Sequence, residues 1–192
     1  MTRLVAVLGS VTPPGRLHSA AGAALEAARE IDAAVEGELI DLATRRLGFA
    51  DGRPIDQLTD DTPAVVRRIA AADAVLIASP VYRGSFTGAL KNLLDLLPVE
   101  ALQGKACGIV TMGATPHHYL GADRHLRDVL AWFGALVAPA SVYLTSTGFK
   151  DGALGDSGRS ELRALVQTVL TLERALRDAG GLGSPPLAAR RP

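Results

Sequence analysis

The chain has 192 residues, of which 48% are hydrophobic and 21% charged, and its formal net charge at pH 7 is zero. This length and composition suit a globular chain with one hydrophobic core. The charge is balanced, like charges form no blocks, and aromatic residues make up only 4% of the chain. These features argue against a basic surface that binds nucleic acid, against an aromatic surface that stacks on bases, and against binding to an anionic membrane.

The sequence shows no targeting or membrane-spanning segment. The apolar part of the stretch MTRLVAVLGS is shorter than a signal peptide requires, and no apolar run reaches the length of a transmembrane helix. We therefore expect a cytoplasmic protein. The single cysteine, Cys107, lies in the apolar run KACGIVTM, where we expect it to pack in a buried strand and to be unreactive.

Apolar runs alternate with helical patterns along the chain. The first run, LVAVL, is followed by an alanine-rich segment for which Ser19 is the expected N-cap. In chain order the predicted elements are a strand at 4–8, a helix at 19–31, a strand at 35–42, a helix at 62–72, a strand at 73–79, a helix at 88–97, a strand at 105–112, a helix at 121–135, a strand at 136–144 that Pro139 interrupts and a helix at 157–180.

This alternation predicts an α/β fold. Continuous apolar strands separated by helices are typical of a parallel sheet that is covered on both faces. Five strands favour a doubly wound, flavodoxin-like sheet of order 2-1-3-4-5 in a three-layer α/β/α arrangement. We expect one such domain over residues 1–179, followed by a flexible tail rich in Gly and Pro over residues 180–192.

The fold places the functional site. In a doubly wound sheet, ligands bind beyond the carboxyl ends of the strands, at the point where the strand order reverses. The loops that leave the first, third and fourth predicted strands meet there, and they cover residues 9–19, 79–87 and 111–121. These three loops are therefore the expected components of the site.

The first loop, GSVTPPGRLHS, has the composition of an anion site. Hydroxyl, guanidinium and imidazole groups precede a helix N-terminus, whose free amides and dipole favour a phosphate. The predicted phosphate-binding residues are Ser10, Arg16, His18 and Ser19. The chain lacks the G-x-G-x-x-G fingerprint of dinucleotide sites, a P-loop and a G-x-S-x-G elbow, so the pattern favours a mononucleotide.

The second loop offers surfaces for a flat ligand. Pro80 ends the third predicted strand, Tyr82 presents an aromatic ring, and Gly84 allows the backbone to approach a ligand closely. Ser85 or Thr87 is the expected cap of the following helix.

The third loop offers small residues and backbone groups from Thr111, Gly113 and Ala114. Three histidines at positions 117, 118 and 125 and an aspartate at position 123 follow. Their spacing is not that of a metal site, so no metal is expected.

Two longer segments, SPVYRGSFTGALKNLLDLLP and LQGKACGIVTMGATPHH, carry a family resemblance. Together with the GS, arginine and serine of the first loop, they resemble the NADPH-dependent FMN reductases of the flavodoxin-like fold. The chain is similar above all to the reductase components of two-component alkanesulfonate or methanesulfinate monooxygenases. The resemblance implies an enzyme that transfers hydride from NADPH or NADH to FMN and supplies reduced FMN to a monooxygenase.

The resemblance also implies roles for particular residues. The phosphate of FMN would be held by the four residues of the first loop, and no catalytic side chain is expected, because hydride transfer needs mainly orientation. A homodimer or homotetramer formed through the helices at 88–97 and 121–133 is implied as well. The isoalloxazine ring and ribityl chain would be contacted by Pro80, Val81, Tyr82, Arg83, Gly84, Ser85, Thr111, Gly113 and Ala114.

The chain departs from its relatives in two places. Val11 and Thr12 stand where many relatives have a second arginine, and Arg124 stands where some two-component reductases have a tyrosine in a helix bulge. FMN is therefore expected either as a weakly held substrate or as a tightly bound prosthetic group. The alternatives are an FMN-containing quinone, azo or metal-ion reductase and a non-enzymatic flavodoxin-type electron carrier. The basic loops disfavour the carrier, whose docking loops are usually acidic.

Overall fold

The computed structural model describes residues 1–179 and residue 186. The tail predicted at residues 180–192 lies outside the described residues, apart from Pro186. No helix within the described residues is both long enough and apolar enough to cross a membrane.

The strands and helices follow the predicted order. The strands are β1 Thr2–Leu8, β2 Val35–Asp41, β3 Ala74–Pro80, β4 Ala106–Met112, β5 Leu136–Val137, β6 Val142–Leu144, β7 Phe149–Lys150 and β8 Ala153–Leu154. The helices are α1 Arg16–Ile31, α2 Thr62–Ala70, α3 Gly88–Leu96, α4 Tyr119–Trp132 and α5 Asp156–Asp178.

The sheet has the predicted topology. Its strand order is β2-β1-β3-β4-β5, with β6 also pairing with β4, and every one of these pairs is parallel. The predicted flavodoxin-like α/β/α fold is thereby confirmed. The strand order reverses at β1, so the loops after β1 and β3 flank the crevice in which this fold binds ligands.

Two hydrophobic cores lie on opposite faces of the sheet. Successive side chains of a strand point to opposite faces, so Leu4, Ala6 and Leu8 of β1 pack toward α1 and α5. Val5 and Val7 pack toward α2, α3 and α4. Both faces are covered, which explains why β1, β3 and β4 are continuous apolar runs in the sequence.

The last predicted strand, at residues 136–144, is interrupted at Pro139 as expected and forms two short strands, β5 and β6. The amide of Ala138 still donates to the carbonyl of Cys107 at 2.8 Å, but Pro139 has no amide to continue the ladder. Arg127 of α4 donates to the carbonyls of Ala138 at 3.0 Å and Pro139 at 3.2 Å, which stabilises the break between β5 and β6. A short antiparallel pair, β7 with β8, is absent from the sequence prediction.

Cys107 is fully buried in β4, as predicted, and burial raises the pKa of its thiol to about 12. Only the thiolate attacks disulfide reagents, so the native protein is expected to react negligibly with an aromatic disulfide reagent at about pH 8. After unfolding in denaturant, the one thiol of the chain is expected to react rapidly. The absorbance of the released thiolate measures both states, and fast reaction of the native protein would contradict the burial.

Candidate active site

The three predicted loops meet at one edge of the sheet. The amide of Gly9, just after β1, donates to the carbonyl of Ala78 in β3 at 2.7 Å. The amide of Val81, just after β3, donates to the carbonyl of Met112 in β4 at 2.7 Å. Because these hydrogen bonds continue the ladders past the strand ends, the starts of the loops are fixed relative to one another.

The first loop is shorter than predicted because α1 begins at Arg16. Gly15, with extended backbone angles, is the N-cap, and no side chain caps the helix. Ser19 is therefore not the cap, and its amide donates to the Gly15 carbonyl at 3.0 Å inside the first turn. The amides of a first helical turn lack intrahelical partners, so without a side-chain cap those of α1 are available to a ligand.

A cleft of about 190 Å³ lies against this helix N-terminus. The hydroxyls of Ser10 and Thr12 lie 2.8 Å apart at its edge. Arg16 is exposed, and the ring of His18 lies 3.9 Å from the carboxylate of Asp41. The cleft is lined by Leu8, Ser10, Thr12, Pro13, Pro14, Gly15, Arg16, Leu17, His18, Pro80, Tyr82 and Met112. Hydroxyls, free amides and a guanidinium group around a small cleft can hold a phosphate.

Thr87 links the ends of β1 and β3 to the start of α3 by hydrogen bonds. Its hydroxyl donates to the carbonyl of Gly9 and accepts from the amide of Leu90 at 3.1 Å, which makes Thr87 the N-cap of α3. Its amide donates to the hydroxyl of Ser79 at 3.2 Å. Gly9 fits tightly here, because a Cβ on Gly9 would lie 2.8 Å from the Cβ of Leu90. Of the two predicted caps, Thr87 is thus confirmed.

The second loop forms a tight turn over residues 82–85. The amide of Tyr82 donates to the carbonyl of Ser85 at 2.8 Å, and the amide of Ser85 donates to the carbonyl of Tyr82 at 3.0 Å. The two central residues, Arg83 at φ +53° and Gly84 at φ +77°, are left-handed. This conformation costs a non-glycine residue roughly 1–2 kcal/mol, so Arg83 is held in it by the turn.

Helix α4 packs directly on this turn. A Cβ on Gly121 would overlap the carbonyl oxygen of Gly84, so only glycine allows this approach. The Nδ1 atom of His125, one turn further along α4, lies 2.9 Å from the hydroxyl of Ser85. The turn and α4 therefore form one unit, which the sequence alone did not predict.

The third loop is held by Tyr143 of β6. Its hydroxyl donates to the carbonyl of Thr115 at 2.6 Å and covers the space that a side chain on Gly113 would occupy. Burial raises the pKa of Tyr143, so the hydroxyl keeps its proton at neutral pH. The hydroxyl of Thr111 is buried and has no partner among the described residues.

The predicted site residues fall into two groups. Ser10, Arg16, His18, Pro80 and Tyr82 line the cleft together. The other predicted residues lie around the cleft. Ser19 lies inside α1, Val81 directly follows β3, Arg83 and Gly84 are exposed in the turn, and Ser85 is hydrogen-bonded to His125. Thr111 and Gly113 are buried, and Ala114 is exposed. The sequence analysis did not identify Thr12 and Met112, which also line the cleft. Thr12 carries a hydroxyl group, the same feature on which Ser10 was predicted.

Metal ligands do not cluster in the described part of the chain. No group of three or more His, Cys, Asp or Glu side chains there is arranged to hold an ion. Asp123 is instead paired with Arg127, whose Nε lies 2.9 Å from its carboxylate.

A cleft at a helix N-terminus, beside the switch point of a 2-1-3-4-5 sheet, is typical of flavodoxin-like nucleotide-binding proteins. The sequence profile of one family, NADPH-dependent FMN reductase, matches residues 2–150. The chain belongs to this family and is an oxidoreductase that uses FMN and a nicotinamide nucleotide. The cleft beside free helix amides suits the phosphate of FMN.

The chain is similar to proteins of two bacteria. An NAD(P)H-dependent FAD/FMN reductase of Geobacillus thermodenitrificans (strain NG80-2) is 35% identical over 155 residues, which cover 80% of this chain and 84% of that protein. An FMN reductase (NADPH) of Pseudomonas aeruginosa is 37% identical over 150 residues, which cover 77% of this chain and 78% of that protein.

A similar solved structure is the apo crystal structure of an NADH:FMN oxidoreductase (EMOB). It is 26% identical, has a TM-score of 0.74, and its match covers 100% of this chain and 98% of that one. The nicotinamide donor thus differs among these similar proteins, from NADPH to NADH, while FMN is common to all three.

Proposed function

We propose that FMN is a substrate that enters and leaves this cleft and that, once reduced, it passes to a flavin-dependent monooxygenase. The observation that carries the proposal is the openness of the cleft. Arg16 is the one arginine among the described residues that lines it, and it is exposed; Tyr82, another lining residue, is 48% exposed. A site with one exposed arginine favours exchange of the ligand over permanent retention. The monooxygenase partner is supported by the family resemblance of the loop motifs.

The proposed placement of FMN divides the predicted site residues between the phosphate and the ring. The phosphate lies at the N-terminus of α1, where Ser10, Arg16, His18 and Ser19 surround it. The ring and ribityl chain lie along the second and third loops, against Pro80, Val81, Tyr82, Arg83, Gly84, Ser85, Thr111, Gly113 and Ala114. The proximity of Pro80 and Tyr82 to the phosphate cleft supports this continuity.

When bound, FMN can accept a hydride from the nicotinamide ring of NAD(P)H. The protein's contribution is to orient the two ligands. The turn at residues 82–85 is fixed by its two backbone hydrogen bonds and by α4, so it can hold a flat ring without rearranging. No side chain needs to act as a catalytic acid or base, and we assign none. Because its nicotinamide donor is a cytoplasmic metabolite, we place the protein in the cytoplasm.

An anaerobic ultrafiltration experiment tests whether reduced FMN leaves the protein. Flavin-free protein is mixed with NADPH or NADH and a large excess of FMN, and the filtrate is analysed for reduced flavin. We expect many equivalents of reduced FMN per protein chain in the filtrate. Reduction that stops after one equivalent, with the flavin retained, would overturn the proposal and favour an FMN-containing quinone, azo or metal-ion reductase or an electron carrier.

We also propose that the chain forms a homo-oligomer through α3 and α4. A groove of about 440 Å³ lies between these helices. It is lined by Leu94, Leu97, Val129, Trp132 and Phe133, together with Lys91, Asp95 and Asp128. Trp132 is 57% exposed, which is costly for a large aromatic side chain in water. The groove carries both signs of charge, so two copies related by a twofold axis can pair opposite charges.

Trp132→Asp is expected to dissociate the oligomer, because a carboxylate would be buried in the apolar interface. The molar mass of the particle in solution would then fall to half that of the wild-type oligomer or to that of the monomer. Light scattering coupled to gel filtration measures the mass. Ala164→Asp, at an exposed position of α5 on the opposite face of the sheet, is the matched control and is expected to leave the mass unchanged. An unchanged mass for Trp132→Asp would exclude this groove as the interface.

A further inference from the structure

Basic side chains surround the turn on the side of α4. Arg83 occupies the turn, and Arg124 and His125 lie one helical turn beyond Gly121, which touches the turn. We call these three residues the basic turn face. Among the described residues, neither Arg83 nor Arg124 forms an ion pair with a carboxylate. In a chain of zero net charge, this is a local excess of positive charge that is free to meet an anion.

The two arginines sit on elements that are fixed to one another. The close approach of Gly121 to Gly84 and the hydrogen bond between His125 and Ser85 join α4 to the turn. Both arginines are exposed, so their guanidinium groups are accessible to a ligand. A rigid backbone beneath them reduces the entropy lost when they bind an anion.

The backbone of Arg83 points to a functional role. Turns of this kind favour Asn, Asp or Gly in their first central position, because these residues tolerate positive φ. The chain has an arginine at φ +53° instead. Strained backbone at a ligand site is a reason to suspect function, and here the strain presents a cation at the tip of the turn.

The phosphate of FMN does not account for this basic face. FMN has a single phosphate, and its proposed position is the N-terminus of α1 beside Arg16, at the end of β1. The basic turn face lies at the end of β3, on α4. Because the proposed flavin ring lies along this turn, a dinucleotide whose nicotinamide ring stacks on the flavin would pass close to the turn.

We propose that Arg83 and Arg124 bind the 2′-phosphate of NADPH, which makes NADPH the preferred hydride donor of this protein. This inference rests on the proposed placement of the flavin ring. The 2′-phosphate is the one group that distinguishes NADPH from NADH, and a phosphate monoester is largely dianionic at neutral pH. Guanidinium groups match phosphate oxygens with paired hydrogen bonds.

Steady-state kinetics with both donors test the proposal in Arg83→Asn and Arg124→Gln. Asn is chosen at position 83 because it tolerates the left-handed backbone. Each substitution is expected to lower the ratio of kcat/KM for NADPH to kcat/KM for NADH about tenfold, as for the loss of one charged hydrogen bond. The ratio is the readout because Arg83 also lies against the proposed flavin ring, so Arg83→Asn can change the activity with both donors. Arg67→Gln, an exposed arginine of α2 with the same charge change, is the control and is expected to alter neither kcat/KM value.

A competition experiment isolates the phosphate. Adenosine 2′,5′-bisphosphate is expected to inhibit the wild-type protein more strongly than 5′-AMP does, and Arg83→Asn is expected to reduce that difference. Equal decreases of kcat/KM for NADPH and NADH would indicate that the arginines contact a group common to both donors, such as the pyrophosphate, and would overturn the proposal. Unchanged kinetics with both donors would overturn it as well.

The same assays separate this proposal from the proposed use of FMN as a free substrate. Each variant is also assayed with a quinone acceptor after saturation with FMN. If FMN proves to be permanently bound, the quinone assay still reports the ratio of the two donors. A selective loss of NADPH activity there would support the role of the arginines, and its absence would contradict that role alone.

Discussion

Arg16→Ala is expected to raise the Kd for FMN about 10- to 150-fold, which corresponds to the roughly 1.5–3 kcal/mol of a hydrogen bond to a charged group. Arg16 is the first residue of α1 and lines the cleft beside the free amides of that helix. Within the described part of the chain, no second arginine lines the cleft to compensate. Titration of the flavin fluorescence with protein measures the Kd.

Riboflavin provides the control for this experiment, because it has the same ring as FMN but lacks the phosphate. The Kd of riboflavin is expected to be the same for Arg16→Ala and for the wild-type protein. If the substitution weakened both flavins equally, Arg16 would contact the ring or support the fold. If it weakened neither, Arg16 would not belong to the phosphate site.

Gly121→Ala is expected to lower the free energy of unfolding by about 1–3 kcal/mol, the range for overpacked sites. A Cβ at this position overlaps the carbonyl oxygen of Gly84, so α4 and the turn must move apart. This movement breaks the contact that positions the turn, and we expect kcat/KM for FMN to fall with the stability. Urea denaturation and steady-state assays measure the two effects.

Gly22→Ala is the matched control for Gly121→Ala. Gly22 lies within α1, and a Cβ there meets no atom within 4 Å. The same substitution should therefore stabilise the protein by about 0.5–1 kcal/mol, because alanine loses less backbone entropy than glycine in a helix. If Gly121→Ala behaved like Gly22→Ala, the close packing of α4 on the turn would be wrong.

The fold could be predicted from the sequence because the buried strands have a recognisable pattern. β1, β3 and β4 are continuous apolar runs, and the doubly wound arrangement then restricts the strand order. Pro139 indicates the break in the last strand, but the hydrogen bonds that Arg127 donates to the break come from a different element and could not be predicted. The start of α1 was also missed, because Ser19 is a favoured cap residue, whereas Gly15 caps the helix by its backbone alone.

The site could be predicted in part. The chemistry of single residues was enough to find Ser10, Arg16 and His18, which lie together in the cleft. The contacts between elements could not be found in this way, because they join residues that are distant along the chain. Tyr143 holds the third loop and His125 holds the turn, and neither residue carries a local pattern that indicates its partner.

The rate of NADPH oxidation as a function of FMN concentration tests the central claim most directly. Purified protein is first stripped of flavin by gel filtration, and the rate is then measured with increasing amounts of FMN. We predict a negligible rate without FMN and a saturable increase as FMN is added. A rate that is already maximal without added FMN, or that FMN does not change, would contradict the assignment of the cleft as a site for exchangeable FMN.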